Sequence, residues 1–161
     1  MRIPVAAVGL LLLPMAALCA QAKPAMKAPA MKWGPAPAVF RKGAKMAVVS
    51  GDPSKAGMFT IELSMPGGYR IMPHFHPTDE AVVVKKGTLL VGMGDKFDLK
   101  QAKPMKVGEK GSIPATQHHF ASAKGATIVE VTAMGPFALT YVNPADDPQN
   151  PMAPKPKTKK P

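Results

Sequence analysis

The amino-acid sequence predicts a single all-β domain, and three observations carry that expectation. Phe59, Ile61, Leu63 and Met65 alternate with Thr60, Glu62 and Ser64, the period-two pattern of a strand with one buried face. Turn formers recur between apolar runs, at Gly51-Asp52-Pro53, Pro66-Gly67-Gly68, Lys86-Gly87, Lys110-Gly111, Lys124-Gly125 and Gly135-Pro136. No stretch carries a convincing run of helical periodicity, with residues 95–106 the least clear. Many short strands at a spacing of about eight to twelve residues suggest a sandwich or barrel.

In chain order, the first segment stands apart. Arg2 gives a positive start, Ile3 to Leu18 is apolar apart from Pro4, Gly9 and Pro14, and Ala20-Gln21-Ala22 has the small-x-small form of a cleavage site. Residues 1–22 are therefore expected to be a signal peptide, giving a mature chain that starts at Lys23 and is periplasmic or secreted. The apolar run is short for a span of roughly 20 residues, so no stable membrane anchor is expected. Lipidation of Cys19 is disfavoured because Leu18 is bulkier than the small residue such sites carry. Cleavage would remove the only cysteine and with it any disulfide or thiolate ligand.

Residues 23–38 read as a flexible basic Pro/Ala-rich arm, with Pro-Ala-Met-Lys at 24–27 repeated at 29–32. Met26 and Met31 form too weak a pattern to argue for soft copper ligation. Trp33 marks where the composition changes, and the arm is expected to begin packing near it. Residues 39–143 form the barrel domain, long enough for one core and too short for two. Within it the runs 80–86, 88–93, 126–133 and 137–142 are short and rich in β-formers. Residues 144–161 read as a flexible Pro/Lys-rich tail.

The chain has 21 basic and 10 acidic residues, yet residues 46–152 hold 10 of each, so the excess lies in the terminal segments. A nucleic-acid binder would carry charge and stacking aromatics on its folded surface, so no nucleic acid is expected as a partner. The segregated charge is read as that of solvated segments.

Chemistry concentrates in the histidines. All four, His74, His76, His118 and His119, fall in two short segments, and imidazole is the commonest protein ligand for a transition metal. His74 and His76 are two apart and share a face of a strand, while Phe75 points to the other. Pro77 marks a turn, after which Glu80 opens the next strand and is able to face back toward the imidazoles. The alternative is a surface pair of histidines beside an unrelated acid. His118 and His119 point to opposite faces of a strand, so only one of them ligates the same ion. By the same parity Arg70 and Met72 share the face of His74, and Gln117 and Ala121 that of His119. Arg70 in the barrel mouth would bind an anionic substrate; near a turn it would equally be an exposed arginine.

These segments resemble the two motifs of the cupin superfamily. Gly68, His74, His76, Glu80 and Gly87 match every position of the first; Gly108, Pro114 and His119 match the second, where Thr116 replaces a glycine and Ala123 an asparagine. The resemblance spans the whole folded part. It implies an antiparallel jelly-roll (cupin) barrel in which His74, His76, Glu80 and His119 ligate a metal. Counted from Pro114, the family spacing selects His119 over His118.

The expected cofactor is a divalent transition metal, Fe, Mn, Ni, Cu or Zn, which a mixed nitrogen and oxygen set does not separate. One reading is a metal-dependent dioxygenase-type enzyme acting on a small enol-like or aromatic substrate. Glu80 would then serve as the catalytic proton acceptor by partly leaving the metal. The other is a non-catalytic exported protein that binds a metal or a small ligand. A small-molecule substrate or ligand is the expected partner, with a homodimer left open.

Overall fold

The computed structural model describes residues 31–150. The expected signal peptide at 1–22 lies outside the described residues, as do Cys19 and Met26. So do the parts of the two expected flexible segments at 23–30 and 151–161.

Eleven strands are present among the described residues. They are β1 (Gly34–Pro35), β2 (Lys45–Ser50), β3 (Gly57–Met65), β4 (Arg70–Phe75), β5 (Glu80–Lys86) and β6 (Thr88–Met93). After them come β7 (Lys103–Lys106), β8 (Lys110–Ile113), β9 (His119–Ala123), β10 (Thr127–Gly135) and β11 (Thr140–Tyr141), then a 3₁₀ turn at Pro144–Asp146. They form two antiparallel sheets, one in the order β1-β2-β3-β10-β5-β8 and the other β11-β4-β9-β6-β7. Consecutive strands repeatedly cross between the two, as a jelly roll does.

The period-two reading of β3 holds. Phe59, Ile61, Leu63 and Met65 are buried, and Val129 and Val131 of β10 with Val82 and Val84 of β5 continue the inner face. Ile71, Leu89, Ala121 and Ala123 cover it from the other sheet. Burying one such side chain contributes on the order of 1.5–3 kcal/mol. The core therefore rests on matched alternation in two facing sheets.

Residues 95–106 form a turn-rich loop followed by β7, which pairs back onto β6 in the same sheet. Phe97 lies against the fully buried Phe120 with ring centroids 5.0 Å apart. Phe120 in turn sits so close to β6 that a Cβ at Gly92 would collide with its ring. Glycine is required there by space.

The folded part extends past both expected boundaries. Gly34 and Pro35 pair with Met46 and Lys45, and the Ala36 amide donates to the Ala44 carbonyl at 3.1 Å, inside the segment expected to be a flexible arm. At the other end, Asp146 lies 3.4 Å from the Arg41 guanidinium. Two tyrosine hydroxyls pin the strip between β1 and β2: Tyr69 donates to the Arg41 carbonyl at 2.6 Å and Tyr141 to that of Val39 at 2.9 Å. Phe40 then stacks on Phe137 inside the barrel, centroids 5.9 Å apart.

Candidate metal centre

Three neighbouring elements bring the histidines together. His74 on β4 stands opposite His119 on β9. His76 follows the end of β4, and Glu80 starts β5 in the facing sheet. The ring nitrogens available for ligation on His74, His76 and His119 lie within 4.8 Å of one another, and all three side chains are buried.

Hydrogen bonds to carbonyls fix which nitrogen each ring presents. Nδ1 of His74 donates to the Met72 carbonyl at 2.7 Å, that of His76 to Ala138 at 2.7 Å, and that of His119 to Gln117 at 3.0 Å. A carbonyl only accepts, so each Nδ1 carries the proton. In a neutral ring the Nε2 lone pair is then free to face the interior. Burial, with the neighbouring His119 and His76 rings adding to it, pushes the His74 pKa well below the ordinary imidazole range and keeps that ring neutral.

Glu80 borders the three-histidine group, beside two of its rings. Its Oε2 lies 3.5 Å from Nε2 of His119 and 3.7 Å from Nε2 of His76. Ligand atoms about 2.1 Å from one ion stand roughly 3–3.5 Å apart, so these two distances suit a shared ion, while the three histidine nitrogens, within 4.8 Å of one another, would draw together to meet one. A further observation supports the fit. Nε2 of His76 is buried and has no hydrogen-bond partner, a cost that a bound cation would remove. The residues present fit a divalent transition metal.

His118 faces away from this cluster. Its Nδ1 pairs with the Asp95 carboxylate at 2.6 Å and its ring stacks on Phe75, 5.1 Å between centroids. Its carbonyl accepts from the Gly94 amide at 2.8 Å, tying the start of β9 to the turn after β6.

Parity failed for Arg70, and a bulge is the reason. The β4–β9 pairing shifts register between Ile71 and His74, so Ile71 rather than Arg70 faces inward with His74. Arg70 points outward, its guanidinium 5.2 Å above the Phe97 ring. Gln117 is also exposed, and only its backbone carbonyl serves the site, whereas Ala121 faces inward as parity indicated.

Two supports of the cluster come from long-range hydrogen bonds. The Asp79 carboxylate accepts from the Ala115 amide at 2.8 Å, and the Thr116 amide donates to the His76 carbonyl at 2.8 Å. Thr116 holds φ at 62°, a left-handed backbone unfavourable for a β-branched residue. It occupies the position where the motif carries glycine.

Behind the cluster lies a cavity of about 110 Å³. His74, His76, Glu80 and His119 form one end, and the rest is lined almost entirely by hydrocarbon such as Ile71, Val82, Leu89 and Val129.

No protein-family model and no curated protein matches this chain. Among solved structures it is similar to the polyketide cyclase RemF from Streptomyces resistomycificus, with TM-score 0.61 and 18% identity, covering 76% of this chain and 90% of that one. It is also similar to a proposed acetylacetone dioxygenase from Methylibium petroleiphilum, with TM-score 0.57 and 21% identity over 74% of this chain and 81% of that one. An RmlC-like cupin from Shewanella frigidimarina matches with TM-score 0.51 and 15% identity over 65% and 83% of the two chains. Identities this low speak for fold and leave chemistry to the site. With two facing antiparallel sheets in jelly-roll order, and these neighbours, the chain has the fold of the cupin superfamily.

Proposed function

We propose that this protein is a metal-dependent cupin of dioxygenase type acting on a small enol-like or aromatic substrate. The observation that carries this reading is the junction of a metal-ligating cluster with an apolar cavity. Three imidazoles converge at one end of a pocket otherwise built of hydrocarbon, with the Glu80 carboxylate beside two of them. Bound there, a divalent metal supplies Lewis acidity and a template for the oxygens of substrate and dioxygen. The protein's own residues do the remainder. The Nδ1 bonds of the three rings hold Nε2 in place, and the apolar wall lines the rest of the cavity. Among the described residues Glu80 is the only carboxylate lining the cavity, and it is the candidate acceptor for an enol proton. The neighbours described as a cyclase and as a proposed dioxygenase support a catalytic reading by analogy of fold.

A second reading draws on the same lining. If Glu80 and the three histidines all remain ligated, no other acid or base among the described residues faces the cavity, which suits a non-catalytic metal or small-ligand binder. Reconstitution of the metal-free protein with Fe, Mn, Ni, Cu or Zn, followed by oxygen-uptake measurements with small enols and catechols, separates the two. Oxygen consumption that is lost in Glu80→Gln supports the enzyme; tight metal uptake without consumption favours the binder.

We also propose export, resting on residues 1–22. N-terminal sequencing of protein from the native envelope should begin at or near Lys23. Recovery of the full-length chain from the cytoplasm would refute it.

A further inference from the structure

The side chains facing the cavity form successive rows along the barrel. The polar row is His74, His76, Glu80 and His119. Strand register places Ile71, Val82 and Ala121 next, and Leu63, Leu89 and Val129 beyond them. These last three are exposed by only 3%, 4% and 3%, so that end is closed. The solvent side is near the polar row. There Met93, opposite His119 in the β6–β9 register and 51% exposed, lines the cavity together with Ser112.

No lysine or arginine among the described residues lines this cavity. Arg70, which parity would have placed inside, is turned by the β4 bulge onto Phe97, and Ile71 takes the inward position. A ligand whose oxygens sit at the histidine row therefore lays its remainder against hydrocarbon. A carboxylate or phosphate there would be stripped of water with no counter-charge.

Resting on the metal-centre reading above, we infer that the site takes single-headed ligands. These have one pair of oxygen donors at the histidine row and an uncharged apolar body directed inward toward Leu63, Leu89 and Val129. The volume bounds that body. An apolar cavity of about 150 Å³ accepts a benzene ring, so the present one, at about 110 Å³, takes a short branched chain or the inner part of one ring whose oxygen-bearing edge stays at the histidine row.

The test uses Co(II)-loaded full-length mature protein titrated with catechol, 3,4-dihydroxyacetophenone and 3,4-dihydroxybenzoate, read by the cobalt absorption bands. The last two probes share a shape and differ in charge. Dihydroxybenzoate should bind about 100-fold more weakly than dihydroxyacetophenone; a difference under tenfold overturns the inference. Direction is tested separately. Leu89→Ala, or Val129→Ala should the first fail to fold, should tighten dihydroxyacetophenone relative to catechol, and Met93→Ala should not. The reverse pattern would place the body in the mouth and overturn the inward orientation. Absence of cobalt uptake would overturn the metal centre and this inference with it. Cobalt and probe binding without oxygen consumption by any reconstituted metal form would overturn the oxidation alone and leave the ligand class standing.

Discussion

His118 and His119 are adjacent in sequence and serve opposite sides of one strand. Nε2 of His119 lies 3.5 Å from the Glu80 carboxylate inside the barrel, while His118 pairs with Asp95 outside at 2.6 Å. Substituting His119 by alanine should therefore cut metal affinity sharply, and His76→Ala should do the same. His118→Ala should leave stoichiometry unchanged, with at most a small change in affinity through loss of the Asp95 contact. Elemental analysis after equilibrium dialysis checks this. Loss of metal from the His118 variant with retention in the His119 variant would show that the second segment is misassigned by one residue.

Thr116 makes a separate prediction. An L-residue with a β-branched side chain at φ 62° carries a cost of about 1–2 kcal/mol, and glycine gives back part of that as unfolded-chain entropy. Thr116→Gly should raise stability by about 0.5–1 kcal/mol in denaturant unfolding. Because the Thr116 amide bond to His76 is kept, metal binding should persist. Destabilisation would show that the Thr116 side chain stabilises the loop by more than its backbone costs.

Acid should act on the metal-free protein through His74. Its folded pKa is depressed below the ordinary value of about 6.5. The unfolded chain therefore takes up a proton there before the folded one does. Stability is fully present above about pH 6.5 and is lost as pH falls from there toward the folded pKa. Urea midpoints of metal-free protein at a series of pH values measure this slope. A His74→Phe variant, if it folds, should show a shallower fall over the same range, and an unchanged slope would assign the effect to other groups.

The strip before β2 should matter for stability. Chains beginning at Met31 and at Val39 differ by the β1–β2 pairing and the Ala36 to Ala44 hydrogen bond. The shorter chain should be less stable by about 1–3 kcal/mol, at roughly 1 kcal/mol for each hydrogen bond lost. Tyr141→Phe, which leaves the Val39 carbonyl without its donor, should cost about 1 kcal/mol. Equal stability of the two chains would mean that β1 contributes nothing to the fold.

Much of this molecule is legible in the linear sequence because strands report themselves locally. Alternation at 59–65 gave β3, and the runs 80–86 and 88–93 coincide with β5 and β6, since a side-chain period of two and a glycine turn need no distant information. The His74-x-His76 spacing worked for the same reason. Other features depend on long-range pairing. The inward turn of Ile71 in place of Arg70 comes from a bulge against β9, some fifty residues later in the chain. Gly34 and Pro35 look like loop residues by composition, and only the edge of β2 makes them a strand. Asp79 and Thr116 support the loops beside the histidines only because folding brought the Ala115 amide to the Asp79 carboxylate and the Thr116 amide to the His76 carbonyl. Sequence determined where the metal-ligating side chains cluster and where the longer alternating strands run, because both are properties of neighbours along the chain. Tertiary structure decided which face each residue shows and which of them meet, because a single register shift reverses the side to which every following side chain points.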